Sequence, residues 1–139
     1  MKQFMRYYFP ALFWALLIFT VSSIHKLPTD PTGTGFVDKI AHFLEYFILG
    51  FFLAHAFYNM SSEKPGFWRF FIAACLGVLF AASDEWHQSF VPGRHMDVGD
   101  FIFDSFGVIT AQFLYEYNRT KLHWFASLLK PRHILNKPD

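Results

Sequence analysis

The chain has 139 residues, 53% of them hydrophobic, 17% charged and 20 of them phenylalanine. That balance is too apolar for an ordinary soluble domain and reads as an integral membrane protein. A net charge of +1 excludes a nucleic-acid partner, which selects a strongly basic face, and the lone Cys75 excludes an intrachain disulfide.

Four apolar stretches, residues 7–23, 40–58, 67–83 and 101–117, each approach the ~17–25 residues a helix needs to cross the hydrocarbon core. The first and last are short, and Tyr7, Tyr8, Tyr115 and Tyr117 are placed to carry them into the headgroup region as aromatic belts. The first stretch, with Lys2 and Arg6 before it and Ser22 and Ser23 after it, loosely imitates a secretory signal. It is long for one, and three further spans need a first partner, so a retained helix is expected. Pro28, Pro31, Gly33 and Gly35 then predict a turn-rich crossing.

His42, Glu45 and His55 interrupt the second stretch, but the first two fall in its opening turns and residues 47–54 are uniformly apolar. A short connection around Lys64 makes the second and third helices antiparallel neighbours. The third stretch ends on Asp84-Glu85-Trp86-His87-Gln88, and Pro92-Gly93-Arg94 predicts a tight turn before the fourth. Beyond it, Leu122, Phe125, Leu128 and Leu129 share one side of residues 121–130, as in a short helix lying in the membrane interface. The expected architecture is all-α: a transmembrane domain at 1–120 with four spanning helices in an antiparallel bundle, then a cytoplasmic interfacial helix and tail at 121–139.

Cation placement predicts orientation. Lys2, Arg6, Lys64, Arg69, Arg119, Lys121, Lys130, Arg132 and Lys137 lie on one side of the expected spans, and only Lys26, Lys39 and Arg94 on the other. The richer side is cytoplasmic, which puts both termini inside and the polar clusters outside, in a multi-pass membrane protein.

Those polar residues fall on stripes at helical spacing. Asp38, His42 and Glu45 lead into Leu49; Gly77 and Ala81 lead out to Asp84 and Gln88; Asp97, Asp100 and Asp104 lead into Gly107 and Ala111. Ionisable groups are costly at membrane depth, so three stripes at one end of the spans mark a candidate site. A helix-end clamp built on Lys39 and Arg94 is the competing reading, but the carboxylates there outnumber the cations.

His42, Glu85 and His87 form the candidate acid–base set, because imidazole titrates near neutrality and a carboxylate partner orients it. Lys39, Gln88, Arg94, Asp97, Asp100 and Asp104 form the candidate ligand-binding set, Arg94 offering a fork suited to phosphate or carboxylate, or else a salt bridge to Glu85, Asp97 or Asp100. No motif demands a cofactor. His42 with Glu45, or Glu85 with His87, together with Asp100 or Asp104, could hold a divalent metal, although no run has a dedicated ligand spacing. Ser83 or Ser89 beside His87 lacks a nucleophile-elbow sequence.

The order Ser22-Ser23, Asp38-Lys39-x-x-His42-x-x-Glu45, Glu85-x-His87-Gln88, Pro92-Gly93-Arg94, Asp97, Asp100 and Gly107 resembles the VanZ-like membrane proteins. The resemblance runs from the first span to the fourth. It implies a cell-envelope setting in a bacterial cytoplasmic (inner) membrane and, from the family's founding association, lowered susceptibility to the lipoglycopeptide teicoplanin, without a settled biochemical activity. The chain departs from the family pattern at Asp104, where asparagine is expected, and at Glu45, where an apolar or small residue is usual.

Three functions compete. The first is an outward polar pocket that binds or modifies an envelope amphiphile, whether a lipid-linked precursor, a phospholipid or a lipoglycopeptide. The second is a small intramembrane hydrolase or transferase with a His–carboxylate site. The third is an ion or proton pathway, which the scarcity of ionisable groups in the cytoplasmic halves of the helices opposes.

Overall fold

In the computed structural model, which describes residues 2–24, 35–59 and 66–129, five helices follow in order: α1 (Lys2–Tyr7), α2 (Phe9–Ser22), α3 (Phe36–Tyr58), α4 (Gly66–Gln88) and α5 (Val98–Leu129). The expected all-helical class holds, with no strand among the described residues. The turn-rich loop after residue 24, the connection around Lys64 and the tail from Pro131 lie outside the described residues.

The first expected span is divided in two at Tyr8. Pro10, near the start of α2, has no N–H to give to the Arg6 carbonyl, so one bond of the helical ladder is missing. The bonds on either side survive: Tyr8 N–H donates to Phe4 O at 2.9 Å and Leu12 N–H to Tyr8 O at 3.1 Å. α1 and α2 therefore form a nearly continuous rod.

Among the described residues two helices, α3 and α4, are long and apolar enough to cross a membrane, against the four expected. α2 is apolar but has only 14 residues. α5 is long, but Asp100, Asp104, Gln112 and Glu116 dilute its hydropathy. A second correction concerns residues 121–129. They continue α5 without a break instead of forming a separate interfacial helix, because no glycine or proline interrupts the chain between Gly107 and Pro131.

The distribution of side chains is the reverse of a soluble bundle. Leu12, Phe13, Leu16, Phe71, Leu79, Ile102, Phe106 and Phe113 are exposed, while Ser22, His42, Asp84, Glu85, Gln88, Asp104 and Gln112 are buried. In the most apolar windows of α3 and α4 only 33% and 17% of residues are buried, too few for core helices of a soluble protein. Outward-facing apolar side chains around a polar, close-packed interior suit a lipid surround.

Small residues set that close packing. A side chain at Gly50 on α3 would meet the Val108 backbone at 2.8 Å, and one at Gly107 on α5 would run into the Phe43 carbonyl. Both glycines are helix-contact positions. α3 and α5 accordingly share the most extensive helix interface, and Tyr46, Leu49, Ala81, Val108 and Ile18 fill the core between helices.

Candidate functional site

The C-terminal ends of α2 and α4 meet the N-terminal ends of α3 and α5. Each contributes part of one polar region, and the α4–α5 connection explains how. After Gln88 the chain turns through successive i→i−3 bonds, Ser89 N–H to Trp86 O, Phe90 N–H to His87 O and Val91 N–H to Gln88 O. Gly93 follows at φ 79°, a left-handed conformation that glycine adopts without strain, and closes the expected Pro92-Gly93 turn.

Asp97 then starts α5. Its Oδ1 accepts the Gly99 N–H at 2.6 Å, capping the helix in the manner short polar side chains favour. The Asp97 carboxyl is held below the ordinary carboxylate range, first by that N–H and then by the Lys39 ammonium. Its own backbone N–H donates to Glu85 Oε2 at 2.9 Å, fastening the end of α4 to the beginning of α5.

The region divides into two networks. In the first, Lys39 on α3 donates to Asp100 Oδ1 at 2.7 Å and to Asp97 Oδ2 at 3.2 Å. One turn further along α3, His42 Nδ1 lies 3.1 Å from Asp104 Oδ1, and its Nε2 lies 3.9 Å from Asp100 Oδ2. Spacings of i, i+4 on α5 and i, i+3 on α3 carry out this pairing, since both keep side chains on one face. Glu85 is 2% exposed and Asp104 fully buried, and one oxygen of each, Oε1 and Oδ2, has no hydrogen-bond partner among the described residues. The Tyr46 hydroxyl, also fully buried, is in the same position.

The second network links α2 to α4. Ser22 Oγ donates to Asp84 Oδ1 at 2.6 Å; Gln88 Nε2 donates to Asp84 Oδ2 at 3.1 Å; Arg94 Nη1 donates to Gln88 Oε1 at 3.2 Å. Arg94 also reaches the end of the first rod, its Nε donating to Ile24 O at 3.1 Å and its Nη2 to Val21 O at 3.5 Å. None of these acceptors is charged. The salt bridge to Glu85, Asp97 or Asp100, one of the two readings of Arg94, is not formed, and among the described residues the guanidinium makes no ion pair.

The two networks face a common cavity of about 130 Å³. Ser22, Asp38, His42, Glu45, Asp84, Gln88 and Arg94 supply its polar wall, and Val21, Val37 and Ala41 an apolar one.

The structure thus brings together Lys39, His42, Glu85, Asp97, Asp100 and Asp104, and places Gln88 and Arg94 beside them. His87 stands apart. Its Nε2 is 3.0 Å from Ser23 Oγ and its ring stacks on Phe19 at 4.4 Å, because positions 85 and 87 lie about 200° apart around a helix and face different neighbours. Asp84, which the stripe leading out from Gly77 and Ala81 marked but neither candidate set included, belongs to the polar interior, and so do Ser22 and Tyr46, which no stripe contained. The i, i+4 spacing of Asp84 and Gln88 was the available sign for one of them, whereas the Ser22 contact spans 62 residues of sequence.

An all-helical chain with lipid-type outer surfaces and a buried cluster of His, carboxylate and cationic side chains defines a membrane protein with a polar interior site. The family model for VanZ/LLP1 matches residues 2–120, and the chain belongs to that family. No curated protein and no solved structure matches it.

Proposed function

We propose that this protein binds the anionic headgroup of a cell-envelope amphiphile in the cavity beside Arg94, in a multi-pass arrangement with both termini cytoplasmic and the site on the outer side. The observation that carries this reading is the guanidinium of Arg94, which lies in the wall of a cavity and spends its donors on neutral oxygens. Its positive charge has no partner carboxylate among the described residues, and a phosphate or carboxylate would supply one. At about 130 Å³ the cavity is smaller than the ~300–1,000 Å³ of ordinary ligand clefts, so it suits a headgroup whose acyl or prenyl chain stays along the apolar helix surface.

α1, α2 and α5 flank the two apolar helices and complete four crossings in this arrangement, with Leu12, Leu16, Ile102 and Phe113 turned to lipid. Cysteine labelling tests the orientation. In a Cys75→Ala background, Met96→Cys at the site end is expected to react from outside and Asn59→Cys to be protected; reversed labelling would place the site in the cytoplasm.

Binding is tested by titrating the purified chain in detergent with short-chain phosphatidylglycerol, a polyprenyl phosphate and teicoplanin in separate arms, with short-chain phosphatidylcholine for comparison. At least one anionic amphiphile is expected to bind, and Arg94→Gln to weaken that binding by tenfold or more. Equal affinity for the zwitterionic lipid, or no effect of Arg94→Gln, counts against the pocket.

A further inference from the structure

We propose that His42, Glu85 and Asp104 bind one divalent transition-metal ion, zinc being the ion their donor set suits. The three come from α3, α4 and α5, and one ligand atom from each lies within 4.8 Å of the others. All three residues are buried. Their His42 Nδ1 to Asp104 Oδ1 separation of 3.1 Å is close to the ~3.3 Å edge of a tetrahedron with ~2.0–2.1 Å bonds to zinc.

Independent of that geometry, two buried oxygens ask for a partner. Glu85 Oε1 and Asp104 Oδ2 accept no hydrogen bond among the described residues, though their side chains are almost wholly removed from solvent. A buried carboxylate oxygen without a donor is costly, and coordination to a cation is one of the few arrangements that offsets the cost. The neighbouring fixed cations are committed elsewhere, Lys39 to Asp97 and Asp100, Arg94 to Gln88 and two backbone carbonyls. Two carboxylates, a neutral imidazole and a divalent ion sum to zero charge.

Donor type narrows the ion. Magnesium and calcium prefer all-oxygen shells, whereas imidazole with carboxylate suits zinc and its transition-metal neighbours. A second grouping, Asp38, His42 and Asp100, shares the histidine, but Asp100 is bound to Lys39. Asp100 fits better as the outer carboxylate facing the other ring nitrogen of His42, 3.9 Å away, the arrangement that orients metal-bound histidines. Three protein ligands leave a coordination position open, and His42 also lines the cavity, so the ion would stand at its edge.

The proposal is tested without any lipid ligand, so its outcome is separate from that of headgroup binding. Tag-free full-length protein in detergent is stripped with a chelator, dialysed against micromolar zinc chloride and analysed for metal by mass spectrometry. One zinc per chain is expected, with a rise in melting temperature on reloading. Glu85→Gln and Asp104→Asn, which keep side-chain shape, are expected to weaken binding by more than the ~10–100-fold that loss of an outer-shell partner costs. Glu116→Gln, far along α5, should leave it unchanged. Wild-type protein without stoichiometric zinc, or full binding in both site variants, overturns the proposal. Should neither variant fold, X-ray absorption of the zinc-loaded wild type decides. A shell of one imidazole with oxygen ligands supports the site, and a sulfur ligand or two or more imidazoles rules it out.

Discussion

Ser22 Oγ donates a 2.6 Å hydrogen bond to Asp84 Oδ1 inside the protein, joining the end of α2 to the end of α4. Both residues are buried, so the carboxylate depends on this donor and on Gln88 for its solvation. Ser22→Ala is expected to destabilise the protein by about 1–3 kcal/mol, the usual cost of leaving a buried polar group short of a partner. Ser83→Ala, which removes an exposed hydroxyl bonded to the Phe80 carbonyl of its own helix, should cost less. Thermal unfolding in detergent orders the two variants, and the opposite order would mean that the contact does not bear on stability.

Glu85→Gln should leave the stability of the zinc-free protein nearly unchanged. The amide oxygen can still accept the Asp97 N–H, and the side chain loses a charge that neither Lys39 nor Arg94 touches. A helix-end clamp predicts the contrary, a loss of the ~3–5 kcal/mol typical of a broken buried pair. A melting temperature close to that of the zinc-free wild type, together with loss of the rise that zinc gives the wild type, separates a binding site from architecture.

Lys39→Gln is expected to return the Asp97 carboxyl towards its ordinary value of 3.8, though not fully, because the Gly99 N–H remains its first source of stabilisation. The sign follows from the depressed pKa. Asp97 favours the folded state above about pH 3.8, and that contribution fades as pH falls through its lower folded value. Since its side chain is 48% exposed, solvent screening keeps the effect on stability small. Carbon-13 titration of Asp97 in wild type and variant reads the shift directly; identical titration curves would remove Lys39 as a cause.

Helical spacing was enough to place Asp38, His42, Asp97, Asp100 and Asp104 at one end of the chain's helices, because i, i+3 and i, i+4 positions share a face whatever the tertiary context. It also put Gly107 on the stripe that leads inward from Asp104, where the glycine meets the Phe43 backbone. What spacing does not carry is direction around the axis relative to a neighbour. His87, two residues from Glu85, therefore read as a partner and turned instead to Ser23 and Phe19. Arg94 likewise had several carboxylates within reach along the chain and settled on carbonyls and an amide. Pro10 stands beside the break at Tyr8, but the single first span expected at 7–23 took no account of it, while the continuity of α5 past residue 120 was hidden behind an apolar pattern that a helix in the interface shares with one extending from the bundle.

The last prediction concerns how packing sets the site. Gly107 lies one turn from Asp104 on α5, pressed against the Phe43 backbone, and Phe43 is the neighbour of His42 on α3. A methyl group at position 107 must push the two backbones apart, because the obstacle is a carbonyl and not the movable end of a side chain. Gly107→Ala should therefore lower stability by about 1–3 kcal/mol, as overpacking does, and also lengthen the His42–Asp104 contact. Gly66→Ala is the matched comparison, since a methyl there meets only Glu116 Oε1 at an ordinary 3.7 Å. Unfolding temperature and zinc affinity should both fall for Gly107→Ala and neither for Gly66→Ala. If Gly107→Ala lost stability yet bound zinc as wild type does, the α3–α5 approach would matter to the fold while the ion sat elsewhere.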